Sequence, residues 1–268
     1  MNMTYEEYLS KNKQNKNWIW ILMIVLIIVL IWAFSGISGT GGSGNTSVIA
    51  RNMIQGLLNP DRDLLLNFQK GVPYLLFETI AIAFLGTIIG GIFAIPLAFL
   101  SSRNVVPKAI SSISKTVAIG IRTIPSLVYG LMFIRVTGPG PFAGVMTMSV
   151  ISIGMLTKLF TDAIEDIDEG VVDALESMGF TTWEKIRHGI IPQLNAAFLS
   201  TILYRFDMNL RDATTLGLVG AGGIGAPLTF AINAYSWNEV GAILLGLIVM
   251  VLLIETFSTR IRKKIMYG

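Results

Sequence analysis

The chain has 268 residues, 53% of them apolar and only 14% charged, and its mean hydropathy is +0.65. A soluble domain carries about 25% charged residues, so much of this surface must face something other than water, and an all-α integral membrane protein is expected. The net charge of +3 is too small to argue for nucleic acid. With no cysteine and a single histidine, His188, neither a disulfide framework nor a transition-metal centre is expected.

A membrane-spanning helix needs about 20 mostly apolar residues, and six stretches qualify in chain order. The first is Trp18 to Phe34, an unbroken apolar run behind Lys11, Lys13 and Lys16. It is longer than a signal peptide's apolar region and lacks a clear A-x-A site, so it reads as an uncleaved anchor. The others are Phe77 to Leu100, Thr116 to Val136, Phe142 to Ile164, Leu194 to Leu218 and Val240 to Phe257. Between the first two lie a Gly/Ser linker (SGISGTGGSGNTS, 35–47) and an apolar-faced surface segment (48–70) broken near Pro60.

The expected layout is a short N-terminus (1–17), a first span (18–34), an extracytoplasmic linker and surface helix (35–74), a core (75–258) and a basic tail (259–268). Placing the N-terminus in the cytoplasm gives the inner side Lys11, Lys13, Lys16, Arg103, Lys108, Lys115, Lys185, Arg187, Arg260, Arg262, Lys263 and Lys264. The outer side then receives only Arg51, Arg62, Lys70 and Arg135. That asymmetry puts both termini in the cytoplasm.

The longest inner loop, 165–193, reads EDIDEGVVDALESMGFTTWEKIRHGIIPQ. A short helix through Met178 is expected, with Val172, Leu175 and Met178 on one face. Gly179 suits a left-handed turn, and Thr181 or Thr182 can cap a second short helix with Glu184 in its first turn. The loop resembles the signature of ABC importer permeases: E-A-A, three residues, Gly, nine residues, I-x-L-P. Asp173, Ala174 and Leu175 stand for E-A-A, Gly179 for the Gly and Pro192 for the Pro, while Gly189 replaces the usual Ile. The resemblance implies an elbow, including Met178 and Phe180, that docks on a separate ATPase.

The chain has no G-x-x-x-x-G-K-[ST] sequence, and its one G-x-G-x-x-G match (Gly220, Gly222, Gly225, with Gly223 beside them) follows a membrane helix rather than a strand. Two readings of these glycines stay open: close packing or a tight bend, or backbone N–H groups that line an outer pathway and attract an anion. Ionisable residues inside spans are costly and usually functional. They are Glu78, then Arg122 ahead of Pro125, then Arg205, Asp207, Arg211 and Asp212 in the run YRFDMNLRDATT. The spacings of Asp207 with Arg211 and Arg205 with Asp212 permit pairing along one face. Here too two readings stay open: structural ion pairs, or a polar path in which Arg122, Arg205 or Arg211 meets an anionic substrate.

Several stretches resemble the phosphonate ABC transporter permeases over about residues 70–265. They are 78–104, 121–133, KLFTDAIEDID (158–168), the loop, LGLVGAGGIG (216–225) and ETFSTRIRKKI (255–265). The resemblance implies a MetI-like importer permease core of about six helices in the bacterial inner membrane. It further implies a second permease copy (a homodimer), two ATPase subunits holding ATP and magnesium, and an extracytoplasmic binding protein. The chain itself would hold no cofactor or metal and do no covalent chemistry. Phosphonate is the implied substrate, with phosphate, phosphite or another small solute as alternatives. An ion-gradient-driven secondary transporter and a non-transporting scaffold remain as different classes, the first lacking need of the 173–192 loop and the second of buried charge.

Overall fold

The structure, a computed structural model, describes residues 17–36, 46–167 and 169–267. The expected cytoplasmic N-terminus, with Lys11, Lys13 and Lys16, and most of the Gly/Ser linker lie outside them. The chain forms two compact units, 1–50 and 51–268. In the first, helix α1 (Asn17–Gly36) is apolar all round. Helix α2 (Thr46–Leu58) begins in the first unit and ends in the second, and all packing below concerns the second.

Two short breaks separate α2, α3 (Arg62–Leu66) and the long α4 (Val72–Ser101). Asp61 starts α3 by accepting the backbone N–H groups of Asp63 and Leu64. The chain continues with α5 (Lys108–Thr123), α6 (Ser126–Thr137), α7 (Pro141–Glu165), α8 (Glu169–Ser177) and α9 (Thr182–Glu184). A π-helical turn (Lys185–Ile190) leads directly into α10 (Ile191–Gly217), followed by α11 (Gly225–Asn233) and α12 (Trp237–Tyr267). No strand occurs among the described residues.

Helices α4 and α7 form the closest pair, because small residues let their backbones meet. A Cβ on Gly86 would lie 2.3 Å from the Met148 Cβ, and one on Gly90 2.4 Å from the Ser152 Cβ. Helix α10 closes the other side. At one end Ala94, Ala98, Leu156, Phe160 and Leu194 pack together, with Phe160 stacked on Phe198 at 4.2 Å. At the other end Val72, Ile224, Leu228, Val240 and Ile243 form a second cluster. Ile82, Met148, Ala213 and Leu216 form a third cluster.

The third predicted span needs correction. Residues 116–136 are not one helix: α5 begins eight residues earlier, at Lys108, and meets α6 at an 83° bend. Ile124 is extended, as a residue before proline prefers, and Pro125 has no N–H to donate. By length and composition α4, α7 and α12 qualify as spans, and the bent pair adds a fourth if counted as one. Helix α10 has 27 residues, about 40 Å at 1.5 Å per residue, but its charges keep it out of that apolar class. The predicted outer loop 219–239 also holds a helix of its own, α11.

Candidate transport path and coupling elbow

Arg205 and Asn209 of α10 point into the α4–α7 seam. Arg205 is 2% exposed. Its Nε donates to Ser152 Oγ at 3.1 Å and its Nη1 approaches Met155 Sδ at 3.0 Å. Its Nη2 lies 3.9 Å from Asp212 Oδ2. One turn from Arg205, the Asn209 amide donates to both Ser152 Oγ and Thr87 Oγ1 at 2.8 Å. Thr87 in turn donates to the Ala83 carbonyl at 2.6 Å. A single buried serine thus serves two donors from α10, and the hydroxyls of Thr87 and Ser152 tie three helices together.

The second α10 pair is peripheral. Arg211 Nη2 contacts Asp207 Oδ2 at 3.0 Å and Glu255 Oε2 of α12 at 3.3 Å. Both spacings read from the sequence as pairs are therefore pairs. Thr87, Ser152 and Glu255 were not singled out there, since small hydroxyls in a span look like packing and Glu255 lies 44 residues beyond Arg211. Arg122 stands apart: it is exposed on α5 and has no ion pair or hydrogen bond among the described residues. Its stem packs where a Cβ on Gly154 would come within 2.8 Å of Arg122 Cγ.

Glu78 is half-buried beside the glycine turn. Its Oε1 accepts the Gly223 N–H at 2.9 Å, and Thr79 Oγ1 accepts the Ile224 N–H at 2.9 Å. The α10–α11 connection turns through Gly220, Gly222 and Gly223, all with positive φ. Pro141 backbone lies 2.7 Å from where a Cβ of Gly222 would sit, and Gly225 sits as close to Gly217. The Gly223 donor is thus spent on a carboxylate within the chain, and the glycines permit a crowded turn. Pro125 sits at the α5–α6 bend.

The 165–193 segment forms an elbow. Helix α8 ends in a Schellman turn: the Phe180 N–H donates to Leu175 O at 3.2 Å and the Gly179 N–H to Glu176 O at 2.9 Å. Gly179 has φ 80°. Thr181 then caps α9, accepting the Glu184 N–H while Glu184 accepts the Thr181 N–H, a reciprocal capping box. Those bonds hold the Glu184 carboxyl below the usual carboxylate range. Lys185 bridges back to Glu176 at 3.0 Å. Phe180 lies edge-on to His188, ring centres 6.3 Å apart.

Asp173 stands where the signature has Glu, and it is exposed. At the other departure, Gly189, an added Cβ would lie 2.2 Å from Leu175 Cδ1, so the glycine leaves room for the leucine side chain. Pro192 enters α10 without breaking it because the preceding turn is π-helical, with the Ile191 N–H reaching back to Ile186 O. Asp173, Ala174 and Met178 are exposed; Met178 and Trp183 are 64% and 67% exposed. The side chain of Val172, expected beside Leu175, lies outside the described residues.

Comparison with known proteins agrees with this architecture. Residues 86–265 match the family model of the binding-protein-dependent transport system inner membrane component. The chain is 35% identical over 189 residues to the phosphite transport system permease protein PtxC of Stutzerimonas stutzeri, covering 70% of this chain and 69% of that one. It is 37% identical over 118 residues to the putative cryptic phosphonate transport system permease protein PhnE2 of Escherichia coli, covering 44% of this chain and 97% of that protein. The fold resembles a chain of the inward-facing MetNI methionine ABC transporter, with a TM-score of 0.64 at 19% identity over 72% of this chain and 95% of that one. The chain belongs to the family of binding-protein-dependent transport system inner membrane components, the permease subunits of ABC importers.

Proposed function

We propose that this permease imports a small phosphorus oxyanion, phosphonate or phosphite first and phosphate as a related ligand, as half of a homodimer. Two separate ATPase subunits and an extracytoplasmic binding protein complete the assembly. Both termini are cytoplasmic, and six segments span: α1, α4, the bent α5–α6 pair, α7, α10 and α12. ATP and magnesium belong to the ATPase, and this chain holds neither.

The observation that carries the coupling role is the elbow itself. Its two short helices are capped at Gly179 and Thr181 and tied by Lys185 to Glu176. The shape is therefore fixed before any partner arrives, while Met178 and Trp183 remain uncovered. Exposed apolar side chains on a rigid knob suit insertion into a groove on another protein. Closure of the ATPase pair would then move α10, into which the elbow runs directly through the π-helical turn.

Arg205, Asp207, Arg211 and Asp212 lie beside this route, and each arginine has an intrachain acid. Arg122 has none among the described residues, which favours it as the cation that meets substrate. The test is uptake of radiolabelled phosphite and methylphosphonate into proteoliposomes holding the permease, its ATPase and its binding protein. Uptake should require ATP, should fail for Gly179→Asp, and should fall strongly for Arg122→Gln. Gly179→Asp that assembles and transports normally contradicts the coupling role.

A further inference from the structure

The structure assigns a phosphorus-oxyanion site to a cavity between α5 and α7, at the end of the bundle that carries Arg103, Lys115 and Glu165. We propose that Arg122 supplies its charge and the Thr157 hydroxyl a fixed hydrogen bond. The cavity measures about 190 Å³, well above the roughly 10–15 Å³ that one water needs. Lys115, Arg122, Thr157, Lys158, Asp162 and Glu165 line it. The position at the cytoplasmic mouth, and a solute as occupant, rest on the import reading above.

Charge decides the sign of the ligand. Three cations face two carboxylates, and both carboxylates are taken. Lys115 Nζ contacts Glu165 Oε1 and Oε2 at 2.9 and 3.1 Å, and the Arg103 N–H also donates to Oε1. Lys158 pairs with Asp162 one turn along α7. Arg122 is left as the uncompensated charge, its stem seated on Gly154. A guanidinium presents paired N–H groups that bind two oxygens of one oxyanion.

Thr157 supplies an independent sign of a ligand. It is 1% exposed, and its Oγ1 has no hydrogen-bond partner among the described residues. A buried hydroxyl in a helix ordinarily donates to the carbonyl four residues back. In α7 Ser152 departs from this but accepts from Arg205 and Asn209, and three others keep to it. Thr147 donates to Ala143 O, Ser149 to Val145 O and Thr161 to Thr157 O, each at 2.7 Å. Thr157 alone among these threonines and serines is left with no partner among the described residues. A buried polar group left unmet is costly, and a tetrahedral oxyanion held by Arg122 in the same cavity would give this hydroxyl a partner. The same chemistry is offered by a free solute on its way out and by a phospholipid headgroup of the inner leaflet.

The experiment uses the purified permease–ATPase assembly in nanodiscs. In neutral phosphatidylcholine discs, phosphite and phosphate are titrated and followed by ³¹P NMR. Arg122→Gln and Thr157→Val should each weaken binding about tenfold or more, and Thr157→Ser should restore it. In discs containing phosphatidylglycerol with no added phosphate, native mass spectrometry reads retained lipid. Retention that falls with Arg122→Gln, and that a later addition of phosphate does not displace, identifies the headgroup as the source. Arg122 is exposed, so Arg122→Gln carries the test even if Thr157→Val fails to assemble. Equal binding of phosphite, phosphate and lipid by wild type and Arg122→Gln overturns the site, even where uptake proceeds. Wild-type binding that is sensitive to these variants, with no phosphorus-oxyanion uptake, leaves the site standing and overturns the import reading instead.

Discussion

The centre of the bundle and the elbow treat polarity in opposite ways. In the centre, Arg205 and Asn209 are buried, and their donors converge on Ser152, Thr87 and Asp212 from other turns and helices. At the elbow the hydrogen bonds are local, between residues three to nine apart, and the apolar residues Met178 and Trp183 are the uncovered ones. The centre is held by long-range contacts that position helices. The elbow is held by sequence-local caps that shape a surface for something outside the chain. Damage to the first should destroy the protein, and damage to the second should spare the protein but silence it.

The sharpest break in that comparison is Ser152→Ala. It leaves Arg205 Nε and Asn209 Nδ2 without their shared acceptor, at about 1–3 kcal/mol for each unmet donor and more for the charged one. A strongly lowered thermal midpoint and poor recovery of folded protein are expected; unchanged stability would show that the seam is not tied at Ser152. Gly189→Ile should come next. Its side chain would enter the space of Leu175, and overpacking costs about 1–3 kcal/mol. ATPase copurification should drop, and Leu175→Ala in the same chain should restore it. Failure of that rescue would separate the two positions.

Smaller effects probe the elbow alone. Around Gly179 no atom would meet an added Cβ, so Gly179→Ala tests backbone conformation only, at about 1–2 kcal/mol for a left-handed residue. Helix α8 should fray while the bundle's melting stays put, and Gly179→Asn should be milder. The smallest effect is pH dependence at the cap. Bonds from Thr181 hold the Glu184 carboxyl below its ordinary value of 4.5. Its contribution is therefore present above that value and is lost as pH falls through the lowered one. Hydrogen exchange at 181–186, corrected for intrinsic rate, should quicken toward low pH, and Glu184→Gln should flatten that dependence. A flat profile in the wild type would remove the capping carboxylate from the account.

The elbow was legible in the sequence because its determinants are local. Gly179, Thr181 and Glu184 announce a turn and a cap by type and spacing, and both form. The ion pairs of α10 were legible for the same reason, through four- and seven-residue spacing. What was not legible depends on contacts between distant segments. Ser152 and Thr87 gain their meaning only when α4, α7 and α10 meet. Glu255 reaches Arg211 from another helix. Pro125 signalled a disturbance, but the size of the 83° bend and the start of α5 at Lys108 are not set by local spacing. The π turn before Pro192 left no mark that spacing could reveal, and the close approach of Leu175 to Gly189 appears only where the two touch.

The central claim is that this elbow transmits ATPase closure to a phosphorus-oxyanion pathway. Its most direct test is phosphite uptake into proteoliposomes with and without the partner ATPase, under an imposed ion gradient, with Met178→Cys available for cross-linking. The account predicts uptake only when ATPase and ATP are both present, together with a cross-link from position 178 to the ATPase that changes with nucleotide state. Uptake driven by the ion gradient alone, with no cross-link at 178, would contradict it.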